Sequence, residues 1–247
     1  MAKDVRATKL PQFEESRWAD RGFSQKYRDD ADAYLPFRSQ FIQTVKSFYA
    51  YFFSANPETS ILDLGCGDGL FIQELLKSVS PAKIRLVDGS KEMLAAAKKR
   101  LGEQANIFFS QASFQEILTN DPFDENFDFI YSSLAIHHLP FEEKKKLYAY
   151  GYNHLSPGGC FVHYDVVAPP SEKLEKFYLA LWEQWITAHP ATEKREDLLE
   201  IPRKYKANKD NIPDTMESQL KALAEVGFND VDCYFKYGIF SLFGGFK

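Results

Sequence analysis

The stretch ILDLGCGDG, Ile61 to Gly69, is an apolar run tipped by Asp63 that passes directly into Gly65, Gly67 and Gly69. It reads as a buried parallel strand turning sharply into a helix. Glycines take φ > 0 readily and lack a Cβ, so such a loop lets the backbone approach a ligand closely. The spacing is Gly-x-Gly-x-Gly, whereas a nicotinamide or flavin loop reads Gly-x-Gly-x-x-Gly with N–H groups that hold a pyrophosphate. An acid at the strand tip repels a pyrophosphate and suits a cationic ligand. A nicotinamide oxidoreductase is therefore disfavoured.

The second half of the signature is Lys83 to Val87 (KIRLV), a further strand ending on Asp88. Asp88 follows Gly69 by roughly 20 residues, the separation of an acid that grips a ribose hydroxyl pair from the neighbouring strand tip. Ser90 has the character of an N-cap with Glu92 in the first helical turn. On these residues the chain resembles the class I S-adenosylmethionine-dependent methyltransferases of small-molecule type, related to the ubiquinone/menaquinone-biosynthesis enzymes. The resemblance is close in motif from about Thr59 to Val167.

It implies an α/β fold: a Rossmann-like, mainly parallel seven-stranded sheet with helices on both faces and a C-terminal antiparallel hairpin. It also implies S-adenosyl-L-methionine as cofactor and S-adenosyl-L-homocysteine as product. By resemblance, Asp63 with Gly65, Gly67 and Gly69 would hold the amino-acid end of the cofactor. Asp88 would accept the ribose hydroxyls, and Gly89 and Met93 would border the adenine. In the family the turn after the third strand often carries an acid that reads the adenine amino group. Here that turn is Gln111-Ala112-Ser113-Phe114, so Ser113 stands in the acid's place and Ala112 offers a backbone N–H. Ser132, at the end of the fourth strand, would lie near the methionine portion.

At 247 residues the chain fits one α/β domain with an insertion. A net charge of −5 provides no general attraction to phosphate backbones, so a nucleic-acid partner is not expected. Cys66, Cys160 and Cys233 follow no metal-ligand pattern, and no metal is expected. With no apolar leader and no run of about 18 apolar residues, the expectation is a cytoplasmic protein without a membrane partner, monomeric or homodimeric. The 22 Phe and 13 Tyr exceed what the core strands hold, and part of them could line a cavity for an apolar or aromatic substrate.

The expected division is an N-terminal helical cover (1–56), a cofactor-binding core (57–169), a helical cap insert (170–213) and a last helix with terminal hairpin (214–247). Short helices are expected over Met1 to about Asp32, and an amphipathic helix over Phe37 to Phe53. In the core, helices are expected over Leu70 to Val79, Glu92 to Leu101, Phe114 to Leu118 and Phe141 to Leu155. Strands alternate with them over Asn106 to Ser110, Phe127 to Ser132 and Cys160 to Val167, the last entered through a tight turn at Ser156-Pro157-Gly158-Gly159. The insert holds a helix over Leu174 to Thr187. Asp214 to Glu217 resembles a capping box for a helix over Met216 to Val226, and Lys236-Tyr237-Gly238 turns the hairpin.

Methyl transfer from a sulfonium needs alignment and a dry pocket more than a protein nucleophile. A base is needed where the acceptor is a phenol or an acidic carbon. His137 is one candidate, and the pair His163 and Asp165, on one face of a strand by period two, is another. A satisfied core histidine is the bland alternative for His163, and a packing element for His138. The expected function is methyl transfer to a small, apolar or aromatic acceptor, with His137 and Asp165 as catalytic candidates. Tyr34, Phe177, Tyr178, Trp182 and Trp185 are candidate cavity residues. The alternative from another class is a non-catalytic S-adenosyl ligand binder acting as sensor or partner subunit.

Overall fold

The Ile61 run becomes a strand buried on both faces. In β1 (Ser60–Leu64), Ile61 packs in one apolar cluster with Phe41, Val45, Tyr49 and Ile72. Leu62 and Leu64, pointing the other way by strand alternation, pack in a second cluster with Ile117, Leu147 and Leu223. A strand with helices on both sides reads as continuous apolar sequence, which is why no polar alternation marks it. The computed structural model describes residues 21–247 together with Phe13, Ser16 and Trp18. The rest of the expected N-terminal cover lies outside the described residues.

The sheet has seven strands in the order β3-β2-β1-β4-β5-β7-β6. They are β1, β2 (Lys83–Asp88), β3 (Ile107–Gln111), β4 (Phe127–Ser133), β5 (Leu155–Val166), β6 (Asn229–Tyr237) and β7 (Phe240–Phe246). Pairing is parallel from β3 through β5, and β7 runs antiparallel to both its neighbours. The cover comprises α1 (Arg21–Tyr34) and α2 (Arg38–Phe53), and α3 (Leu70–Leu75) follows the glycine loop. Next come α4 (Lys91–Leu101), α5 (Phe114–Asn120) and α6 (Phe141–His154). The insert supplies α7 (Glu172–Ala188) and α8 (Ile201–Ala207), and α9 (Met216–Val226) precedes the hairpin.

Four local expectations change. Ser156 to Gly159 is not a turn before the strand but a bulge within β5, where the pairing jumps from Phe127↔Leu155 to Phe129↔Cys160. The chain terminus secures that bulge, since Lys247 N–H donates to Gly159 O and Gly158 N–H to Lys247 O. Helix α3 stops at Leu75 rather than Val79, and the Leu75 carbonyl is shared there by the Ser78 N–H, the Ser78 hydroxyl and the Val79 N–H, a tightened end in place of further regular turns. The N-cap of α9 is Thr215, which accepts from Ser218 N–H, and not Asp214. The hairpin strands run to Tyr237 and restart at Phe240, so the turn centres on Gly238 at φ 57°.

Asp214 instead pairs with Lys144 of α6, whose side chain is 1% exposed. The ammonium donates to Asp214 Oδ2 and to Ile212 O, each at 2.5 Å, and so ties the end of the insert to the core. Removing one member of a buried pair leaves its partner uncompensated, so Lys144→Met should destabilise the fold by about 2 kcal/mol. The loss should be partly restored in Lys144→Met/Asp214→Leu. Urea unfolding of both variants checks the ordering.

Candidate functional site

The glycine loop is tied to the tip of β2. Gly65 and Cys66 both donate their N–H to Val87 O, at 2.8 and 3.0 Å. Gly67, at φ 56°, donates to Asp88 Oδ2 at 2.8 Å, and Ser90 N–H donates to Asp88 Oδ1 at the same distance. The two glycines at either side of Gly67 serve packing. A Cβ on Gly65 would sit 2.5 Å from Ala135 Cβ, and one on Gly69 would press on Leu101 and Ala97.

Two carboxylates face this loop under different conditions. Burial pushes Asp88 up to about 6, against the pull of the Ser90 and Gly67 hydrogen bonds. Asp63 is 1% exposed, and among the described residues neither of its oxygens has a hydrogen-bond partner. Burial, and then the nearby Asp88 charge, push Asp63 well above the ordinary carboxylate range. An unpaired buried carboxylate is expensive, and a cation is the partner that makes it cheap.

Both acids open on a cavity of about 230 Å³ whose wall also includes Gly65, Gly67, Gly89, Met93, Ala112 and Ser113. Two expected site residues lie off that wall. Gly69 packs against α4, and the Ser132 hydroxyl, fully buried, donates to Leu64 O at 2.7 Å. Ser133 lines the cavity in its place. The Ala112 N–H is already given to Asp88 O, and Ser113 forms a capping box with Glu116 at the start of α5. Sequence reasoning missed Arg38 and Tyr131, which reach the same cavity from α2 and β4. The Arg38 guanidinium is held by Asp32 at 2.7 Å.

A second cavity, of about 310 Å³, adjoins the first and shares Trp18, Tyr27 and Leu134 with it. Leu134 sits between them at φ 51°, a strained backbone for a branched residue, with its N–H on Tyr164 O. Tyr34, Trp182, Tyr205 and Phe240 wall this cavity. Of the other expected cap residues, Trp185 packs on Phe37, Lys236 stands over the Tyr178 ring, and Phe177 is exposed. Across α1 and the insert, Arg195 makes paired contacts with Asp30 at 3.0 and 2.9 Å, and Asp197 joins Arg195 to Lys26.

His137 lies in the wall of the second cavity, and its neighbour His138 in the first. His138 is committed on both sides: Trp18 Nε1–H donates to its Nε2, and its Nδ1 meets Asp210 O. His137 uses Nδ1 toward Asp165 Oδ1 at 2.5 Å, and its main-chain N–H donates to Oδ2 at 2.9 Å. His163 Nε2 meets Oδ2 at 2.8 Å, and Val166 N–H donates to Oδ1 at 2.8 Å. Burial alone would raise Asp165, but the His137 and His163 imidazoles hold it well below the ordinary carboxylate range. Burial pushes His163 down, against the pull of Asp165, and so favours its neutral form. Among the described residues no group of side chains is arranged to hold a metal ion.

A family model described as "Methyltransferase domain" matches residues 61–159. The chain is 27% identical to malonyl-[acyl-carrier protein] O-methyltransferase 1 of Ilyobacter polytropus, over 71% of this chain and 65% of that one. It is 27% identical to the carboxy-S-adenosyl-L-methionine synthase of a Shewanella species, over 84% of this chain and 83% of that one. Among solved structures, the plantazolicin methyltransferase BamL, in complex with a triazolic desmethylPZN analog and SAH, superposes with a TM-score of 0.59. It is 25% identical, with 86% of this chain and 71% of that one covered. The chain spans 30% to 65% of the length of the first curated relatives it matches.

The Asp88 carboxyl has a testable consequence for the ligand-free protein. A folded-state value raised from 3.8 to about 6 contributes stability that is full below pH 3.8 and lost as pH rises through 6. The loss amounts to about 3 kcal/mol. Thermal unfolding of wild type and Asp88→Asn between pH 4 and 7.5 should show that slope in wild type and a flatter one in the variant.

Proposed function

Because the chain belongs to the class I S-adenosylmethionine-dependent methyltransferases, with S-adenosyl-L-methionine as its cofactor, we propose that it methylates a small apolar or aromatic acceptor bound in the second cavity. The observation that carries this reading is Asp63, a buried carboxylate with no hydrogen-bond partner among the described residues, beside a glycine loop and a second acid.

The residues present fit the cofactor. Asp63 would take the ammonium of its amino-acid end, and Arg38, a half-buried guanidinium reaching the same cavity, would take the carboxylate. Asp88, whose oxygens each accept one main-chain N–H, keeps lone pairs for a ribose hydroxyl pair. Gly65, Gly67 and Gly89 would let the ligand approach, with Met93, Ala112 and Ser113 at the adenine end. Gly69 and Ser132 would act from behind the wall, by packing. When bound, the cofactor supplies an electrophilic methyl on a sulfonium.

The chain's own contribution is alignment, exclusion of water and a base. Asp165 would hold His137 with Nδ1 protonated, which leaves the Nε2 lone pair as the proton acceptor toward the second cavity. His137 then serves an acceptor whose nucleophilic atom must shed a proton, such as a phenol. Tyr34, Trp182, Tyr205 and Phe240 provide a wall suited to a flat apolar body. The relatives carry names of different reactions, so the acceptor is argued from this cavity and not from them. The cover (1–56), core (57–169), insert (170–213) and terminal part (214–247) would act as one domain.

Calorimetry with S-adenosylmethionine should show binding that weakens about 10- to 100-fold in Asp88→Ala and at least as much in Asp63→Ala. Affinity should also fall as pH is lowered through about 6, where Asp88 takes a proton. Absence of binding in wild type would end the reading. His137→Gln should keep cofactor affinity but lose S-adenosylhomocysteine formation by about 100-fold or more with whichever phenol of an acceptor panel turns over.

A further inference from the structure

We propose that His163 is a positioning residue that acts through Asp165 to keep His137 neutral and ready to accept a proton. The proposal rests on the reading of His137 as the base. A carboxylate has about four lone-pair sites, and those of Asp165 are all taken. Oδ1 accepts from His137 Nδ1 and Val166 N–H, and Oδ2 accepts from His137 N–H and His163 Nε2. Two of these donors belong to the main chain. His163 is therefore the side chain that shares the Asp165 charge with the His137 ring.

The direction of the effect follows from that sharing. Each donor to a carboxylate disperses its charge and weakens its hold on the next. With the His163 N–H in place, part of the Asp165 charge is spent on that donor and less of it is left for the His137 ring. Remove that donor, and the same carboxylate draws a proton onto His137 at higher pH, which takes away the acceptor lone pair.

The surroundings of His163 suit a donor at one end only. Its Nδ1 is buried with no partner, so a second proton there would sit in an apolar box without an acceptor. That box is made by Phe243 of β7, Phe161 of β5 and Tyr148 of α6, with ring centroids 4.8, 6.1 and 6.2 Å from the imidazole. The Tyr148 hydroxyl is turned to Gln219 of α9 and does not compete for Asp165. The Lys144 cation of α6 lies beyond, paired with Asp214, and opposes charge on His163. Facing His137 from the other side are His138, Tyr34 and Lys26 with Asp30 of α1, Lys204 and Tyr205 of α8, and Asp197. A residue kept only for packing in this box could be phenylalanine.

The test is NMR of the histidine ring resonances in the ligand-free protein from pH 5 to 8, His137 being assigned by its loss in His137→Gln. In His163→Phe, which keeps the packing and loses the donor, the midpoint of the His137 ring titration should rise by about half to one pH unit, a three- to tenfold gain in proton affinity. His163→Gln, which restores an N–H at similar reach, should return it to the wild-type position. An unmoved midpoint in His163→Phe, or an equal shift in both variants, overturns the proposal. In wild type the His163 ring should stay singly protonated on Nε2 throughout, and a second proton in that range overturns it even if the variants fail to fold. None of these readouts requires the acceptor. Failure of the base reading would show separately, as undiminished S-adenosylhomocysteine formation in His137→Gln.

Discussion

Strand β1 pairs in parallel with β2 on one side and β4 on the other, so that Leu64 stands level with both Val87 and Ser132. That double pairing puts β1 where the strand order reverses. The connections leaving β1 and β4 therefore diverge to opposite sides and leave a crevice at the carboxyl ends. The candidate site is arranged around it. The glycine loop leaves from β1, Asp88 stands at the tip of β2, and Ser133, Leu134 and His137 follow from the end of β4. Asp165 comes from β5, one strand further out, and meets His137 because the turn after β4 folds back over its own neighbour.

The same burial that builds the crevice makes its polar groups costly, and the fold treats the two acids differently. Asp88 receives two main-chain hydrogen bonds, so its carboxylate is compensated in part. Asp63 receives none. A group left in that condition within a parallel sheet is held there by the surrounding core, with Ile61, Leu62 and Leu64 fully buried on either side of it. Stability is thus given up at a point where a cationic ligand would recover it. The second carboxylate of this kind, Asp165, is the reverse case: four donors saturate it, and it serves to orient other groups rather than to bind.

The parts legible in the sequence are those governed by local rules. The strand, the positive-φ glycines and the acid of the next strand obey fixed spacing, and Asp63, Gly67 and Asp88 lie where that spacing places them. Ser132 and Ser133 show where such rules stop. Side chains alternate faces along a strand, so a one-residue difference moves the hydroxyl from the cavity to the sheet interior. Likewise Trp182 and Ile186 share the inner face of α7 while Phe177 is left outside, a difference set by helical phase and not by composition. Arg38 and Tyr131 were invisible for another reason. They belong to separate elements and meet the glycine loop only through tertiary packing.

The adjacent histidines divide the work of the two cavities. Their rings lie 3.9 Å apart, yet His138 is closed by Trp18 and the Asp210 carbonyl, whereas His137 gives Nδ1 to Asp165 and lies in the wall of the second cavity. His138 thereby fastens the cover to the end of the insert at the point where the cavities join. The insert is held to α1 elsewhere as well, by Trp182 Nε1–H on Tyr34 O and by Arg195 on Asp30. Since Tyr27 of α1 walls both cavities, a displacement of α1 that widened one would reshape the other. The first cavity is bounded in good part by main chain, at Gly65, Gly67 and Gly89, whereas the second is bounded by side chains of α1, α7 and α8. A ligand of the first would therefore meet fixed backbone, and a ligand of the second would meet side chains.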